Sequence, residues 1–263
     1  MELIQFSEEQ LAAYLGSFFW PLFRISGFMM AAPVLGSQLV PMRIKLVIAV
    51  AVTVVVTPLL PAVPEVAPLS LSALALVLQQ LLIGVALGFF LQLVFQTMVL
   101  AGQMIAMQMG LGFASMMDPT NGVNVTVVSS FYLMFVTVLF VAFDGHLQMI
   151  RVLVESFHTV PMAVDFSFID NSVFPIVNAL GWVFSSAMIL ALPAITALLI
   201  SNFAFGIMTR AAPQLNMFAL GFPVALMFGL FLIWLTFPTF TRLSGELFND
   251  AFQFMGSLIN FQV

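Results

Sequence analysis

Histidine is the side chain best suited to proton transfer and metal ligation at neutral pH. The chain has two, His146 and His158, twelve residues apart. Two imidazoles with no third histidine and no cysteine are too few ligands for a transition-metal site. A catalytic pair would need a nucleophile in a recognisable setting, and none stands near either ring. No catalytic residue, metal ligand or cofactor site is therefore assigned, and both histidines read as structural hydrogen-bonding groups. Two other charged residues stand out. Arg24 lies in Phe18-Phe19-Trp20-Pro21-Leu22-Phe23-Arg24-Ile25-Ser26-Gly27, where an ionisable group costs at least about 2.5 kcal/mol if it sits in a bilayer. It needs a carboxylate, a backbone carbonyl or water, so a structural pairing or a subunit contact is favoured over a transport role. Asp118, followed by Pro119, is either a functional acid or simply the start of a turn. Asn124-Val125-Thr126 fits a glycosylation sequon, but the pattern is common and this copy falls on the inner side of the topology argued below.

The elements that position these residues belong in lipid or among apolar protein neighbours. Hydrophobic residues make up 62% of the 263 and charged ones 6%, with a mean hydropathy of +1.17, against roughly 25% charged in soluble domains. With no cysteine there is no disulfide framework and no thiolate chemistry. Glu2, Glu8 and Glu9 precede the first apolar run where a cleavable signal would be basic, so insertion is expected to use the first membrane helix itself. No linker or low-complexity tract interrupts the chain, which reads as one membrane domain over residues 1–263. No nucleic-acid partner is expected.

A hydrocarbon core of about 30 Å needs roughly 20 apolar residues of helix. Six stretches meet this, near 11–32, 41–60, 69–94, 125–143, 172–200 and 217–237. Pro33 and Gly36 end the first, Pro58, Pro61, Pro64 and Pro68 fill the second gap, and Pro213 precedes the sixth. With the N-terminus outside, Arg43, Lys45 and Arg210 fall on cytoplasmic connections, as the positive-inside rule requires. Arg151 and Arg242 go against it, each four residues from a possible acidic partner, Glu155 or Glu246.

On this topology residues 95–124 form a cytoplasmic connection with no Lys or Arg. The stretch from Val66 to Met117 is free of charge and ends in Gln108-Met109-Gly110-Leu111-Gly112-Phe113-Ala114-Ser115-Met116-Met117-Asp118-Pro119-Thr120-Asn121-Gly122. Irregular backbone at membrane depth is tolerated only in protein or along a cavity. The segment is therefore expected to fold back, with a helical half (Phe95 to Met109) and a non-helical tip (Gly110 to Asn124) that lines or occludes a pore. Met98, Met104, Met107, Met109, Met116 and Met117 either repack as a compliant seal or fill irregular core gaps. Gly110, Gly112 and Gly122 lower the cost of bending and tip the balance toward the seal. Gly84 and Gly88 form a G-x-x-x-G helix-contact pattern. Gln79, Gln80, Gln92, Gln96, Gln103 and Gln108 need partners in an apolar setting, so this region is expected to be buried among helices.

Several runs together resemble the FliR family of flagellar export proteins. They are Gly102-Gln103-Met104, Gln108 to Ala114 with Asp118-Pro119, Asp144-Gly145-His146-Leu147 with Phe157-His158-Thr159-Val160-Pro161, Leu192 to Leu199, and Arg210-Ala211-Ala212-Pro213-Gln214-Leu215-Asn216-Met217 to Pro223. The resemblance covers nearly the whole chain, and the histidine corner is more similar to the flagellar than to the virulence branch. It implies an all-α fold of membrane-type helical hairpins with a re-entrant plug loop, resembling FliP-like (1–170) and FliQ-like (171–263) folds joined in one chain. It further implies an export-gate subunit of the type III secretion system in the bacterial inner membrane at the flagellar basal body. Such a subunit is not an enzyme; FliP-like and FliQ-like subunits, an FlhB-like protein, unfolded export substrates and membrane lipid would be its partners.

By the same resemblance the gating plug comprises Met109, Gly110, Leu111, Gly112, Phe113, Ala114, Ser115, Met116, Met117, Asp118, Pro119 and Gly122. Arg24, Gly84 and Gly88 would serve assembly, and Arg210, Pro213, Gln214 and Asn216 would form a cytoplasmic hairpin tip near the FlhB-like protein. Export-gate helices form a cone held largely above the membrane plane, so hydropathy would report burial among subunits as well as in lipid. Residues 238–263, with Phe240, Leu243, Leu247, Phe248, Phe252, Met255, Leu258 and Ile259 at helical spacing, are then expected to pack on a partner. A secondary transporter or small-solute channel is the rival reading; it would carry coupling charges at mid-membrane, where only Arg24 qualifies.

Overall fold

The computed structural model describes residues 8–37, 40–61, 64, 66, 70–112, 126–163, 167–212 and 221–260. Regular structure among them is entirely helical: α1 (Glu8–Ala31), α2 (Met42–Val56) with a following 3-10 turn (Thr57–Leu59), α3 (Leu71–Gln108), α4 (Val127–Ala142), α5 (Gly145–Thr159), α6 (Ser167–Ala211) and α7 (Phe222–Asn260). Four helical stretches are long and apolar enough to cross a membrane: Met42–Leu59, Leu71–Gln108, Phe174–Ala211 and Phe222–Ile259. They become five if α4 and α5 count as one broken span. Arg24 and the polar residues around it dilute α1, which is not among them.

Three expectations from hydropathy are corrected. Residues 95–108 do not form a separate folded-back arm, because α3 runs unbroken for 38 residues, a contour of about 57 Å at 1.5 Å per residue. No proline interrupts it, and the small residues Gly84, Gly88 and Gly102 serve packing. Residues 145–159, outside all six expected spans, are helix α5, whose buried face is Met149, Leu153 and Phe157 at i, i+4 and i+8. Asp144, at φ 54, makes the left-handed turn between α4 and α5. Finally, residues 238–260 continue the last long helix through Pro238, and their apolar face is buried against this chain and not reserved for a partner.

The chain divides into two compact units. The first comprises Met1–Leu93, Asp144–Ala179 and Asp250–Val263. Its organising group is Arg24, fully buried. The guanidinium Nε donates to Gln80 Oε1 of α3 at 2.7 Å. One terminal nitrogen donates to the Ser156 carbonyl oxygen of α5 at 2.6 Å and to Ser156 Oγ at 3.2 Å, and the other donates to the Val160 carbonyl oxygen at 2.8 Å. The Phe157 ring lies under the guanidinium carbon at 4.3 Å, a cation–π contact that adds to the hydrogen bonds.

Close approach of α1 and α3 makes this cluster possible. A Cβ at Gly84 would collide with the Arg24 carbonyl oxygen, and one at Gly88 would lie 2.8 Å from Ala32 N and from Phe28 O. On the facing helix a Cβ at Gly27 would come within 2.7 Å of the Leu81 carbonyl oxygen. The glycines let the two backbones touch, as small residues do wherever helices pack without side chains between them. The same unit stacks Phe90 of α3 on Phe254 of α7, ring centroids 6.4 Å apart.

The second unit comprises Val94–Phe143 and Leu180–Asn249. Phenylalanine dominates its core. Phe248 of α7 meets Phe95 of α3, Phe140 of α4 and Phe143 beyond it, and Tyr132 and Phe135 of α4 pack on Phe240. These edge-on and tilted pairings are the favoured geometry for rings whose faces are negative and edges positive. Gly102 admits α4 at van der Waals distance, since a Cβ there would fall 2.7 Å from Ser129 Cα.

The buried arginine generates the first prediction. Arg24→Leu removes the donor to Gln80 Oε1 and Val160 O, at about 1–3 kcal/mol for each buried acceptor left without one. Arg24→Lys, with one charged tip in place of a planar fork, is expected to fall between the variant and the parent. Gly84→Leu should destabilise comparably by forcing α1 off α3. Thermal unfolding and protease resistance of the detergent-solubilised chain are the measurements, and wild-type stability of Arg24→Leu would refute the ordering role.

Candidate functional site

The described part of the charge-free segment is a finished helix end. α3 stops in two hydrogen bonds that wrap its last turn: Gly110 N donates to the Met107 carbonyl oxygen at 3.1 Å, and Leu111 N donates to that of Ala106 at 3.0 Å. With Gly110 at φ +86, this is a Schellman cap, in which a left-handed residue just past the helix lets its last carbonyls find donors. Any side chain would be strained at this backbone angle. A second constraint acts on the same atom, because a Cβ at Gly110 would lie 2.9 Å from Cδ2 of the Phe222 ring.

Neighbouring residues hold this end from two sides. Met109 is buried and lies against Gly229 of α7, where a Cβ would meet its Cγ at 2.5 Å and its sulfur at 2.7 Å. Asn202 of α6 donates through Nδ2 to the Gln108 carbonyl oxygen at 3.2 Å. The side chain is thus spent on a carbonyl at the end of α3, the position where helices leave acceptors without intrahelical donors.

Across the segment, α4 begins with an equally defined cap. Thr126 Oγ1 accepts from Ser129 N at 3.2 Å, the side-chain-to-N3 bond of a threonine N-cap. Ser129 Oγ donates to the Val99 carbonyl oxygen of α3 at 2.9 Å. The described residues on either side, up to Gly112 and from Thr126, are therefore anchored helix ends. This use of Thr126 also gives the sequon threonine a structural role.

Of the gating residues expected from sequence, Met109, Gly110, Leu111 and Gly112 are thus placed; Phe113, Ala114, Ser115, Met116, Met117, Asp118, Pro119 and Gly122 lie outside the described residues. Arg24, Gly84 and Gly88 meet in the first unit, with every hydrogen bond of the guanidinium made within this chain. Arg210 is exposed in the last turn of α6, and Pro213, Gln214 and Asn216 lie outside the described residues. His146 and His158 both sit on α5. Among the described residues no group of three or more histidine, aspartate or glutamate side chains could hold a metal. Arg242 and Glu246 do pair, at 3.8 Å, but both are solvent-exposed and contribute little.

Sequence reasoning missed Asn202, Phe222 and Gly229. A glycine after the last periodic residue is a helix-stop signal, so the cap itself could have been found at Gly110. Nothing local marks a phenylalanine among thirty, or one of the asparagines in a 45-residue helix, as a neighbour of the α3 end about a hundred residues away.

The two anchored ends and the long apolar helices around them belong to a known pattern of sequence. A model of bacterial export proteins, family 1, matches residues 15–251. The chain is 38% identical over 258 residues, 98% of both chains, to the flagellar biosynthetic protein FliR of Escherichia coli (strain K12). It is 36% identical over 258 residues, again 98% of both, to FliR of Pectobacterium carotovorum subsp. carotovorum. The surface presentation of antigens protein SpaR of Salmonella typhimurium is 32% identical over 156 residues, 59% of this chain and 58% of SpaR. Both capped ends, Arg24 with its hydrogen-bond partners, and the α6 and α7 positions that hold the α3 terminus fall inside the matched range, and the chain belongs to the FliR family of bacterial export proteins.

Proposed function

We propose that this protein is a subunit of the flagellar type III export gate, in the bacterial inner membrane at the basal body. There it assembles with FliP-like and FliQ-like subunits and contacts an FlhB-like protein through the tip between α6 and α7. It makes and breaks no covalent bond in its substrates. Residues 1–170 would supply a FliP-like part and 171–263 a FliQ-like part. The segment from Met109 to Gly122 plugs the channel through which unfolded flagellar proteins pass.

The observation that carries this reading is the long apolar exposure of α6. Large apolar side chains lie open from Leu180 through Phe184, Ile189, Leu192, Ile200, Phe203 and Met208. That is about 42 Å along the helix at 1.5 Å per residue. A hydrocarbon core is about 30 Å thick, and the usual tilt of about 20° shortens the projection only to about 39 Å. At about 100° per residue these side chains point to several sides of the helix. Lipid can cover most of the length but not all of it, and apolar exposure beyond it is suited to protein neighbours.

The plug reading draws support from the helix ends described above. A Schellman cap and a threonine N-cap allow α3 and α4 to stop without leaving their terminal groups unsatisfied. The sequence between these ends carries no charge before Asp118. A solute transporter is disfavoured on a separate ground. Among the described residues the only buried charged side chain is Arg24, and its donors are committed to fixed acceptors, so no mid-membrane charge is left to couple ion and solute movement.

Two outcomes are expected. Deleting Gly110 to Gly122 should leave a complex that assembles but leaks, read as a rise in small-ion conductance of cells producing it; assembly with unchanged conductance would end the plug assignment. Expressed without partners, the chain should be degraded or aggregate on detergent extraction, whereas co-expression with FliP and FliQ homologues should yield one discrete large particle on size exclusion. A stable monodisperse monomer that moves a small solute across liposomes would favour the transporter instead.

A further inference from the structure

We propose that Asn202, Phe222 and Gly229 are the positioning residues of the gate, clasping the capped end of α3 between the two arms of the α6–α7 hairpin and fixing the root of the plug. The proposal rests on the plug reading given above and adds to it the groups that hold the plug's root in place.

Gly110 cannot be repositioned by its own side chain, having none, and its φ of +86 leaves one face of the backbone open. The Phe222 ring fills that face. Met109 is the last side chain before the cap; it is 1% exposed and seated on Gly229, where any larger residue would expel it. Asn202 ties the Gln108 carbonyl oxygen to α6. Three consecutive residues, Gln108, Met109 and Gly110, are thus each held by a different group, one on α6 and two on α7.

Phe222 and Asn202 also lie close to the hairpin tip. Phe222 opens α7, and Asn202 stands nine residues before the end of α6. Between the same two arms lies an apolar groove of about 360 Å³, lined by residues that include Ala197, Ser201, Ala204, Val224 and Phe228. The arms are therefore not packed solid where they grip α3. Relative movement of the arms changes the separation between Asn202 and Phe222, and with it the position of the α3 end. A small displacement of either arm reaches the α3 end directly through these contacts.

The absence of native cysteine permits a direct test in the complex co-expressed with FliP-like and FliQ-like subunits. Phe222→Ala and Asn202→Ala, alone and together, are expected to raise small-ion conductance several-fold toward that of the Gly110 to Gly122 deletion, with particle yield on size exclusion unchanged. Phe222→Tyr, which keeps the ring, is expected to stay closed. Met109→Cys with Gly229→Cys is then added to the double alanine variant, since the Met109 Cγ position is near enough to a Cβ at residue 229 for a disulfide. Oxidation with diamide should restore closure, and reduction should abolish it.

Alanine variants that assemble normally and conduct no more than the parent would overturn the clasp, as would a disulfide that forms without lowering conductance. If the deletion itself fails to leak, the plug reading falls with the clasp; if the deletion leaks and the alanine variants do not, the clasp alone falls. Alanine variants that lose assembly are decided by the cysteine pair in the wild-type background, which must be closed when oxidised for the clasp to stand.

Discussion

A guanidinium withdrawn from water is the interaction on which the first unit depends. Arg24 is held by an amide oxygen of α3, two carbonyl oxygens and a hydroxyl at the α5 end, and the face of Phe157. No carboxylate takes part in these bonds. A buried ion pair would have to offset the desolvation of two charges, whereas carbonyl dipoles are present in the backbone anyway and need only be aimed. The Ser156 carbonyl oxygen also accepts from Val160 N at 3.0 Å, so the guanidinium is a second donor there, while the Val160 carbonyl oxygen lies just past the last helical residue. One cation thereby joins three helices.

That cluster could not form at an ordinary interhelical distance. Gly27, Gly84 and Gly88 bring α1 and α3 into backbone contact, which places Gln80 within reach of the guanidinium. The glycine pattern and the arginine are therefore one device, in which small residues provide the approach and polar groups provide the specificity. In the second unit phenylalanine takes the corresponding part. Rings from α3, α4 and α7 interlock. The contrast is between a unit built around a fixed charge and one built around packed rings.

The helix ends bear on the proposed export role. In that reading the helices flanking the plug must stop without penalty, and the Gly110 and Thr126 caps allow it on either side. The proposed assembly would in turn cover large apolar side chains that α6 leaves exposed.

Local information in the sequence carried the class of the protein a long way. Composition placed it among apolar neighbours, the run around Arg24 demanded an internal partner, the G-x-x-x-G at Gly84 and Gly88 announced a close helix contact, and the ordered motifs pointed to the family. Each depends on residues near one another in the chain, where burial cost, periodicity and backbone freedom can be read directly. Helix α5 was missed because a 15-residue amphipathic helix has too little apolar length to register as a span. The face from Phe240 to Ile259 was legible as amphipathic, but amphipathicity does not say what covers it, and the α7 rings proved to be met by α3 and α4 of the same chain. Likewise, Ser156 and Val160 lie 132 and 136 residues from Arg24, and Asn202 lies 94 from Gln108. Carbonyl oxygens of this kind are offered by every residue and asparagine amides by several. Only the packing of helices into fixed positions chooses among them, because a hydrogen bond at 2.6–3.2 Å is a matter of tertiary placement and not of residue type.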